Sequence, residues 1–358
     1  MMKSKKKRIV FAVLNAALLV LALVCFLLVH WLSGLLQSQQ EAERWRGESE
    51  TRYVQVSCFI PEADRLNSAA INEFRSTLMK KLKEASFDIQ GEEILFSDAW
   101  STTGKVYLSS DNGHTNAAVI AVGGNFFDFH PIRLITGTYL RQEDLMHDRV
   151  LIDEEAAWLL YGGNELQGLP VEINGVPFQI AGVIEREQDF ASKKAYTAGL
   201  GIYMSYDAYH ALVEDSGVSC YELAVAEPVK GFGLNLVKES FPVGQGEVLQ
   251  NTGRFRFTTL FKLLGKFGTR SMQTLGVIYP YWENAARCVE DWGALLQLLG
   301  LLFLILPVVT AVVLLARLLR RGKERFAEDL FPKWRDRIEE AVRVRQRRHW
   351  ERTHKGMK

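Results

Sequence analysis

The sequence predicts a membrane protein in which two transmembrane α-helices flank an α+β extracytoplasmic domain. Three observations predict it. Two apolar runs, residues 9–29 and 293–316, each reach the roughly 20 residues that cross a hydrocarbon core. Basic side chains gather beyond those runs, at both ends of the chain. Between the runs lies a stretch, residues 119–185, in which short apolar segments are separated by Gly123-Gly124-Asn125, Gly162-Gly163-Asn164 and Asn174-Gly175. That alternation is the mark of β structure with tight turns.

Taken in order, residues 1–8 carry Lys3, Lys5, Lys6, Lys7 and Arg8. The first span, 9–36, is too long in its apolar part for a cleaved signal peptide, whose core is about 7–15 residues, and no small-x-small cleavage site precedes Gln37. It reads as an uncleaved anchor. Arg317, Arg320, Arg321, Lys323 and Arg325 follow the second span, 293–316, and the tail 317–358 holds 15 basic and seven acidic side chains. The two ends thus carry +5 and +8 in a chain whose net charge is +1, so the segment between them sums to −12. By the positive-inside rule both termini are cytoplasmic and the acidic segment is outside.

The exterior domain, 37–254, opens with a polar helix-prone stretch, 37–50, that continues the first span. A strand at 53–60 is stopped by Pro61. Leu66, Ala70, Phe74, Leu78 and Leu82 then recur every fourth residue, an amphipathic helix with Lys80, Lys81 and Lys83 outward. Strands follow at 93–96, 105–108 and 117–122. A β-rich lobe, about 124–190, has strands at 150–152, 171–173 and 178–184 and a short helix at 154–161. Asn174-Gly175 supplies the positive φ angles of a two-residue hairpin turn. Pro177 makes one hairpin arm an edge strand or a late-starting one. A strand at 201–204, a helix at 205–214, a strand at 219–226, a helix at 233–241 and a strand at 246–250 complete it. The order is two βαβ-like halves with an inserted β-rich lobe.

Cys25 lies in the first span and Cys288 just before the second. Cys58 and Cys220 sit in exterior strands, either as a disulfide or as two buried thiols. The seven histidines form no ligand-spaced group, and neither GxxxxGK[ST] nor GxSxG occurs. The carboxylate clusters Asp153-Glu154-Glu155 and Glu143-Asp144 read as helix starts. The chain is therefore expected to be no enzyme and to hold no cofactor or metal, and any ATP-driven work must come from another subunit.

Residues 255–292 are membrane-proximal. Phe255, Phe257 and Phe261, interleaved with Arg254, Arg256, Lys262 and Lys266, and continuing to Phe267, read either as an amphipathic helix on the membrane surface or as one packed on its own domain. Ile278-Tyr279-Pro280-Tyr281-Trp282 supplies aromatic side chains near the expected interface, where amphipathic rings sit favourably, so Tyr281 and Trp282 join Phe255, Phe257 and Phe261 as candidate membrane-surface or partner contacts. Pro307 interrupts the second span and reads as tolerated rather than as a working kink. In the tail, Phe326, Leu330 and Phe331 form one short helical pattern and Trp334, Ile338 and Val342 another, divided by Pro332. Arg317, Arg320, Arg321, Trp334 and Arg343 are candidates for docking an ATPase or for contact with anionic lipid, each well-placed base being worth about 1 kcal/mol there. A short tail held at a membrane does not suit nucleic acid.

One resemblance rests on joint order rather than on any single motif. It runs from Val122-Gly123-Gly124-Asn125-Phe126-Phe127 through Leu134-Ile135-Thr136-Gly137-Thr138-Tyr139-Leu140 with Asp144 and the strand at 150–153. It continues with Leu160-Tyr161-Gly162, Gln167-Gly168 and Ile180-Ala181-Gly182-Val183-Ile184. The chain resembles MacB-type and FtsX-type ABC transporter permeases over about residues 5–255. The resemblance implies an extracytoplasmic core domain behind a first span, moved by a separate ATPase. Such permeases close with a bundle of further spans, whereas one span and a tail of about 40 residues remain here. The expectation is an accessory or partial permease subunit, partnered by the bilayer, an ABC ATPase and a multi-span permease, in a homo- or hetero-oligomer. The alternative is a membrane-anchored sensor or scaffold. An envelope enzyme is disfavoured for want of a catalytic constellation.

Overall fold

The computed structural model describes residues 2–47, 51–85, 95–141, 144, 146–196, 200–214, 216–266, 272, 279–325 and 331–354. Glu143, Phe267, Ile278, Phe326 and Leu330, and the expected element ends at 48–50 and 93–94, lie outside these residues. Two compact units are formed: residues 26–298, and residues 1–25 together with 299–358.

The larger unit is built on one mixed sheet of ten strands among the described residues: β1 (Tyr53–Phe59), β2 (Phe96–Ser110), β3 (Gly113–Gly124), β4 (Arg133–Gly137), β5 (Arg149–Asp153), β6 (Pro170–Ile173), β7 (Val176–Glu185), β8 (Gly201–Ser205), β9 (Cys220–Ala226) and β10 (Glu247–Gln250). Their order is β10-β1-β9-β2-β3-β8-β5-β7-β4, with β6 bridging β2 and β7. The β3–β8 and β5–β7 pairs are parallel, the others antiparallel. The strands of the predicted lobe thus extend the same sheet through the β5–β8 and β2–β6 pairings. Lys105 to Leu108, expected as a four-residue strand, is part of the 15-residue β2, which pairs with β3 along twelve registers. Ser101 to Gly104, between the strands expected at 93–96 and 105–108, belong to β2 as well, and the β-branched Thr102 and Thr103 sit well in a paired strand.

Helices cover both faces. On one face lie α3 (Ser68–Glu84), α5 (Glu154–Tyr161), α7 (Tyr206–Leu212) and α8 (Phe232–Ser240), whereas α2 (Glu41–Arg46) lies on the opposite one, its Glu41 N–H donating to Gln55 Oε1 at 3.0 Å and its Arg44 to the Asp128 carbonyl at 2.6 Å. The period of α3 is as predicted, but Ile71 rather than Ala70 joins Phe74, Leu78 and Leu82 in the core. Asn67 caps it, accepting from Ala70 N–H at 2.9 Å. On the other face lie α4 (Phe126–Phe129), α6 (Phe190–Ala195) and the head of α10 (Tyr281–Arg325). The polar segment after the first span is not a continuation of it. α1 (Met2–Gly34) ends at Gly34, and a single 3₁₀ turn, Gln37–Gln39, then leads into α2. Arg44 donates to the Gln37 carbonyl at 2.6 Å and Gln40 to that of Ser33 at 3.3 Å, so side chains take over the backbone groups released there.

The predicted hairpin turn is present: Asn174 has φ 51° and Gly175 φ 80°. A Cβ at Gly175 would meet nothing within 4 Å. Gly175→Val is therefore expected to cost only the left-handed conformational penalty, about 1–2 kcal/mol, read as a lower urea midpoint with unchanged slope. Pro177 pairs with Glu172, ahead of the point at which β5 joins β7 at Gln179, so its missing N–H breaks no ladder with β5.

The smaller unit holds the inner part of α1, α10 from residue 299 onward, and α11 (Phe331–His354). α10 passes through Pro307 without ending. Leu19, Leu23, Leu302, Ile305 and Leu315 expose their side chains, as lipid-facing residues do, whereas Ala22 and Cys25 are buried. Pro332 does not divide two helices: it occupies the first turn of α11, where its missing N–H is harmless.

Candidate functional site

Strand alternation creates the site. On β9, Tyr221, Leu223 and Val225 point to the α3 face, so Cys220, Glu222 and Ala224 point to the α10 face. All seven β9 residues are buried, which places a carboxylate, Glu222, inside the domain. β1 puts Gln55 and Ser57 beside it, since Ser57 is the register partner of Glu222. The same alternation removes the candidate disulfide. Cys58 is opposite Tyr221 and Cys220 opposite Phe59, so the two thiols emerge on opposite faces and both are free. Burial pushes both thiols up from their ordinary value.

Hydrogen bonds lead from Glu222 to the two membrane helices. Glu222 meets His130 Nε2 at 2.5 Å and accepts from Ser57 at 3.2 Å. Ser57 Oγ lies 3.0 Å from Asn251 Oδ1, and Asn251 Nδ2 donates to Gln39 Oε1 at 2.8 Å. The same Gln39 oxygen accepts from Arg254 at 2.8 Å. Arg254 pairs with Glu283 at 2.8 Å and Glu290 at 2.9 Å; Arg287 pairs with Glu283 at 2.8 Å and Glu247 at 2.6 Å. Gln39 lies five residues beyond the end of α1, and Glu283, Arg287 and Glu290 stand at i, i+4 and i+7 on α10, one stripe of its surface. The segment leaving the first span and the helix entering the second are thus joined through one buried ionic cluster.

The electrostatics follow from burial. Arg254 is 3 % exposed and Glu283 0 %. Burial alone would raise the Glu283 carboxyl, but the Arg254 and Arg287 guanidiniums hold it below its ordinary 4.5. Burial would likewise lower both arginines, and their carboxylate partners, Glu283 first, hold them raised. Arg287 also stacks over Tyr279, 3.8 Å from its centroid. Beside the cluster, Trp282 packs on Phe126 and His130, with centroids at 5.6 and 4.3 Å. His130 Nδ1 and Trp282 Nε1 have no hydrogen-bond partner among the described residues, and both residues border a cavity of about 330 Å³.

The candidate contact residues separate. Tyr281 and Trp282, expected at the membrane interface, are core residues, 9 % and 2 % exposed. The reason is length: α10 begins twelve residues before Gly293, about 18 Å of helix at 1.5 Å per residue. Phe255 is half-buried against the same core, with Arg254 over its ring at 5.6 Å. Phe257 and Phe261 are about half exposed on α9 (Phe257–Leu263). α9 is anchored to both long helices. Leu260 is buried, a Cβ at Gly293 would lie 3.2 Å from Leu260 and 3.7 Å from Val29, Gln297 donates to the Phe257 carbonyl at 2.9 Å, and Phe257 faces Phe26 at 6.3 Å. The segment therefore packs on its own chain through Leu260 while turning two rings outward. Arg317, Arg320, Arg321, Trp334 and Arg343 are exposed in the smaller unit; Arg343 lies 3.6 Å from Glu339.

Sequence reasoning missed the cluster, although a signal existed. Glu222 interrupts an otherwise apolar strand, and Glu283, Arg287 and Glu290 have complementary charge at helical spacing. The partners on β10 and its following turn, Glu247, Asn251 and Arg254, carry no such signal, because only the sheet order brings them near.

A family profile described as "MacB-like periplasmic core domain" matches residues 22–230. The chain belongs to that family. Among known proteins it is similar to the "Uncharacterized ABC transporter permease YvrN" of Bacillus subtilis (strain 168), 35 % identical over 71 residues, which are 19 % of this chain and 17 % of that protein. The match thus spans about a sixth of that relative's length. Among solved structures, the periplasmic region of MacB from Actinobacillus actinomycetemcomitans aligns at TM-score 0.38 and 15 % identity, covering 55 % of this chain and 89 % of that one. The extracellular domain of the noncanonic ABC-type transporter YknZ from Gram-positive bacteria aligns at TM-score 0.38 and 11 % identity, covering 55 % and 100 %. Within this MacB-like protein, Gln39, Ser57, His130 and Glu222 fall inside the matched range. Glu247, Arg254, Glu283, Arg287 and Glu290 fall beyond it. The cluster therefore ties the family core to the part of the chain that leads into the second long helix.

Proposed function

We propose that this chain is a non-catalytic, permease-like membrane component of an ABC-type transport assembly, whose extracytoplasmic domain moves with a separate ATPase. The observation that carries the reading is the buried cluster Arg254–Glu283–Arg287 with Gln39, which makes the outer ends of both spans one mechanical piece with the sheet. A displacement of either helix is then passed to the domain as a rigid-body movement rather than absorbed by a linker. In this reading both termini are cytoplasmic, as the basic flanks direct. Phe257 and Phe261 face lipid at the outer surface, and Arg317, Arg320, Arg321, Trp334 and Arg343 meet an ATPase or anionic headgroups.

The test is purification of the crosslinked full chain from its native membranes, with identification of what accompanies it. A P-loop ATPase together with a multi-span permease is the expected result, weakened when Arg317, Arg320 and Arg321 are all replaced by glutamate. If envelope or signalling proteins alone are recovered, under conditions that preserve a control transporter complex, the transport role is abandoned in favour of an anchored sensor or scaffold.

A further inference from the structure

A second cavity, about 290 Å³, lies on the α10 face of the sheet, above β2, β3 and β8. Its floor is hollow for a local reason. Ala118 and Gly201 are register partners on adjacent strands, so two neighbouring positions carry almost no side chain. Ile120 and Tyr203, the next partners on that face, provide an apolar floor. The walls are aromatic: Tyr196 stacks on Tyr281 at 4.1 Å and 20°, and Tyr279-Pro280 closes the side toward α10. The wall hydroxyls are already engaged. Tyr281 donates to Glu187 at 2.8 Å, Tyr196 donates to the same carboxylate, and Tyr203 lies 3.4 Å from Tyr281. The cavity therefore offers ring faces and aliphatic surface rather than orphan polar atoms. Charge stands at its rim. Arg186 is bound by Asp153 and the Glu187 carboxylate is capped by the tyrosine hydroxyls, whereas Lys105, exposed at the rim, has no ion-pair partner among the described residues.

We infer that this cavity is a binding site for a small anionic amphiphile, its apolar ring or short chain held between the tyrosines and its acid group directed to Lys105. The volume is at the lower end of the roughly 300–1,000 Å³ usual for small-molecule sites, which suits a two-ring body. Aromatic walls with few placed charges are the composition of such sites. The cavity also has a mechanical partner. Tyr281 and Asn284 on its wall, directly after Pro280, share the first turns of α10 with Glu283 and Arg287 of the ionic cluster. An occupant thus presses on the helix that becomes the second span. This assignment rests on the transport reading for its purpose, but not for its chemistry.

The experiment is ¹⁹F NMR titration of 6-fluoro-2-naphthoate into the full chain in nanodiscs of uncharged lipid, with empty nanodiscs as reference. Saturable binding is expected in the wild type. Ala118→Phe, which fills the floor on an open sheet face, should weaken it at least about tenfold, and Lys105→Glu should weaken it and shift preference toward the matching naphthylmethylammonium. Thermal melts of both variants show whether each remains folded, and Lys105→Glu, at an exposed rim, keeps the test intact if Ala118→Phe does not fold. Absence of saturable binding at millimolar probe, or equal binding by wild type and both folded variants, overturns the site. Binding that persists in a chain that recruits no ATPase defeats the transport reading and leaves the site standing.

Discussion

Replacing Glu283 with alanine is expected to destabilise the extracytoplasmic domain by about 3–5 kcal/mol, because it leaves Arg254 and Arg287 buried without their shared carboxylate. The loss should be visible as a drop of roughly 10 °C in the thermal midpoint of the full chain in nanodiscs. Arg254 keeps Glu290 and Arg287 keeps Glu247, so the effect comes from the guanidinium N–H groups that lose their acceptor in a buried site rather than from the net worth of the pair. The quadruple variant Arg254→Met, Glu283→Leu, Arg287→Met, Glu290→Gln, which also neutralises the buried partner of Arg254, should therefore recover much of the stability that the single change removes. If Glu283→Ala melted within a degree or two of the wild type, the cluster would be solvated and the mechanical role given to it would fall. The pH dependence follows from the depressed carboxyl. A group held below its ordinary 4.5 contributes fully above that value, and its contribution is lost as pH falls through the depressed value. The gap between Glu283→Ala and wild type should be flat from about pH 6 to 8 and narrow only in acid.

Phe74→Ala is expected to cost about 3–5 kcal/mol. Phe74 is 2 % exposed and holds α3 on the sheet through edge-on contacts with Tyr221 at 5.5 Å and 89° and with Phe241 at 5.0 Å and 85°. Tyr221 and Phe241 stack on one another at 4.7 Å, so the ring removed closes a three-way aromatic contact between α3, β9 and the end of α8. Chemical denaturation monitored by tyrosine and tryptophan emission would report it, and a loss under 1 kcal/mol would mean that the site collapses onto the gap. Glu283→Ala acts at the membrane end of the domain and Phe74→Ala on the opposite face of the sheet. With no shared partner, the double variant should be additive within about 0.5 kcal/mol.

Much of the fold was legible because its signals are local. The helix at Ser68–Glu84, the helix at Glu154–Tyr161 and the Asn174-Gly175 turn each follow from periodicity, capping or positive φ within a few residues. The length of β2 was not legible, since Ser101 to Gly104 gain their strand conformation from pairing with β3, and at Ser101 also with β9, rather than from their own preference. Tyr281 and Trp282 were misplaced for the complementary reason. Aromatic residues shortly before an apolar run fit an interfacial belt, and only the true start of α10 shows that they stand well above it, inside the domain.

The sequence by itself determined that two apolar helices bracket an acidic α+β domain, because hydrocarbon thickness, charge segregation and residue periodicity all act on contiguous residues. It also carried the family, through ordered short motifs between Val122 and Ile184. Which charges would be buried together was decided only by the tertiary structure. Gln39, Ser57, Glu222, Arg254 and Glu283 are separated by up to 244 positions, and sheet order and strand alternation alone bring them to one face. The same alternation kept Cys58 and Cys220 apart. Two residues on neighbouring strands, one register step out of line, point to opposite sides of the sheet however close they lie.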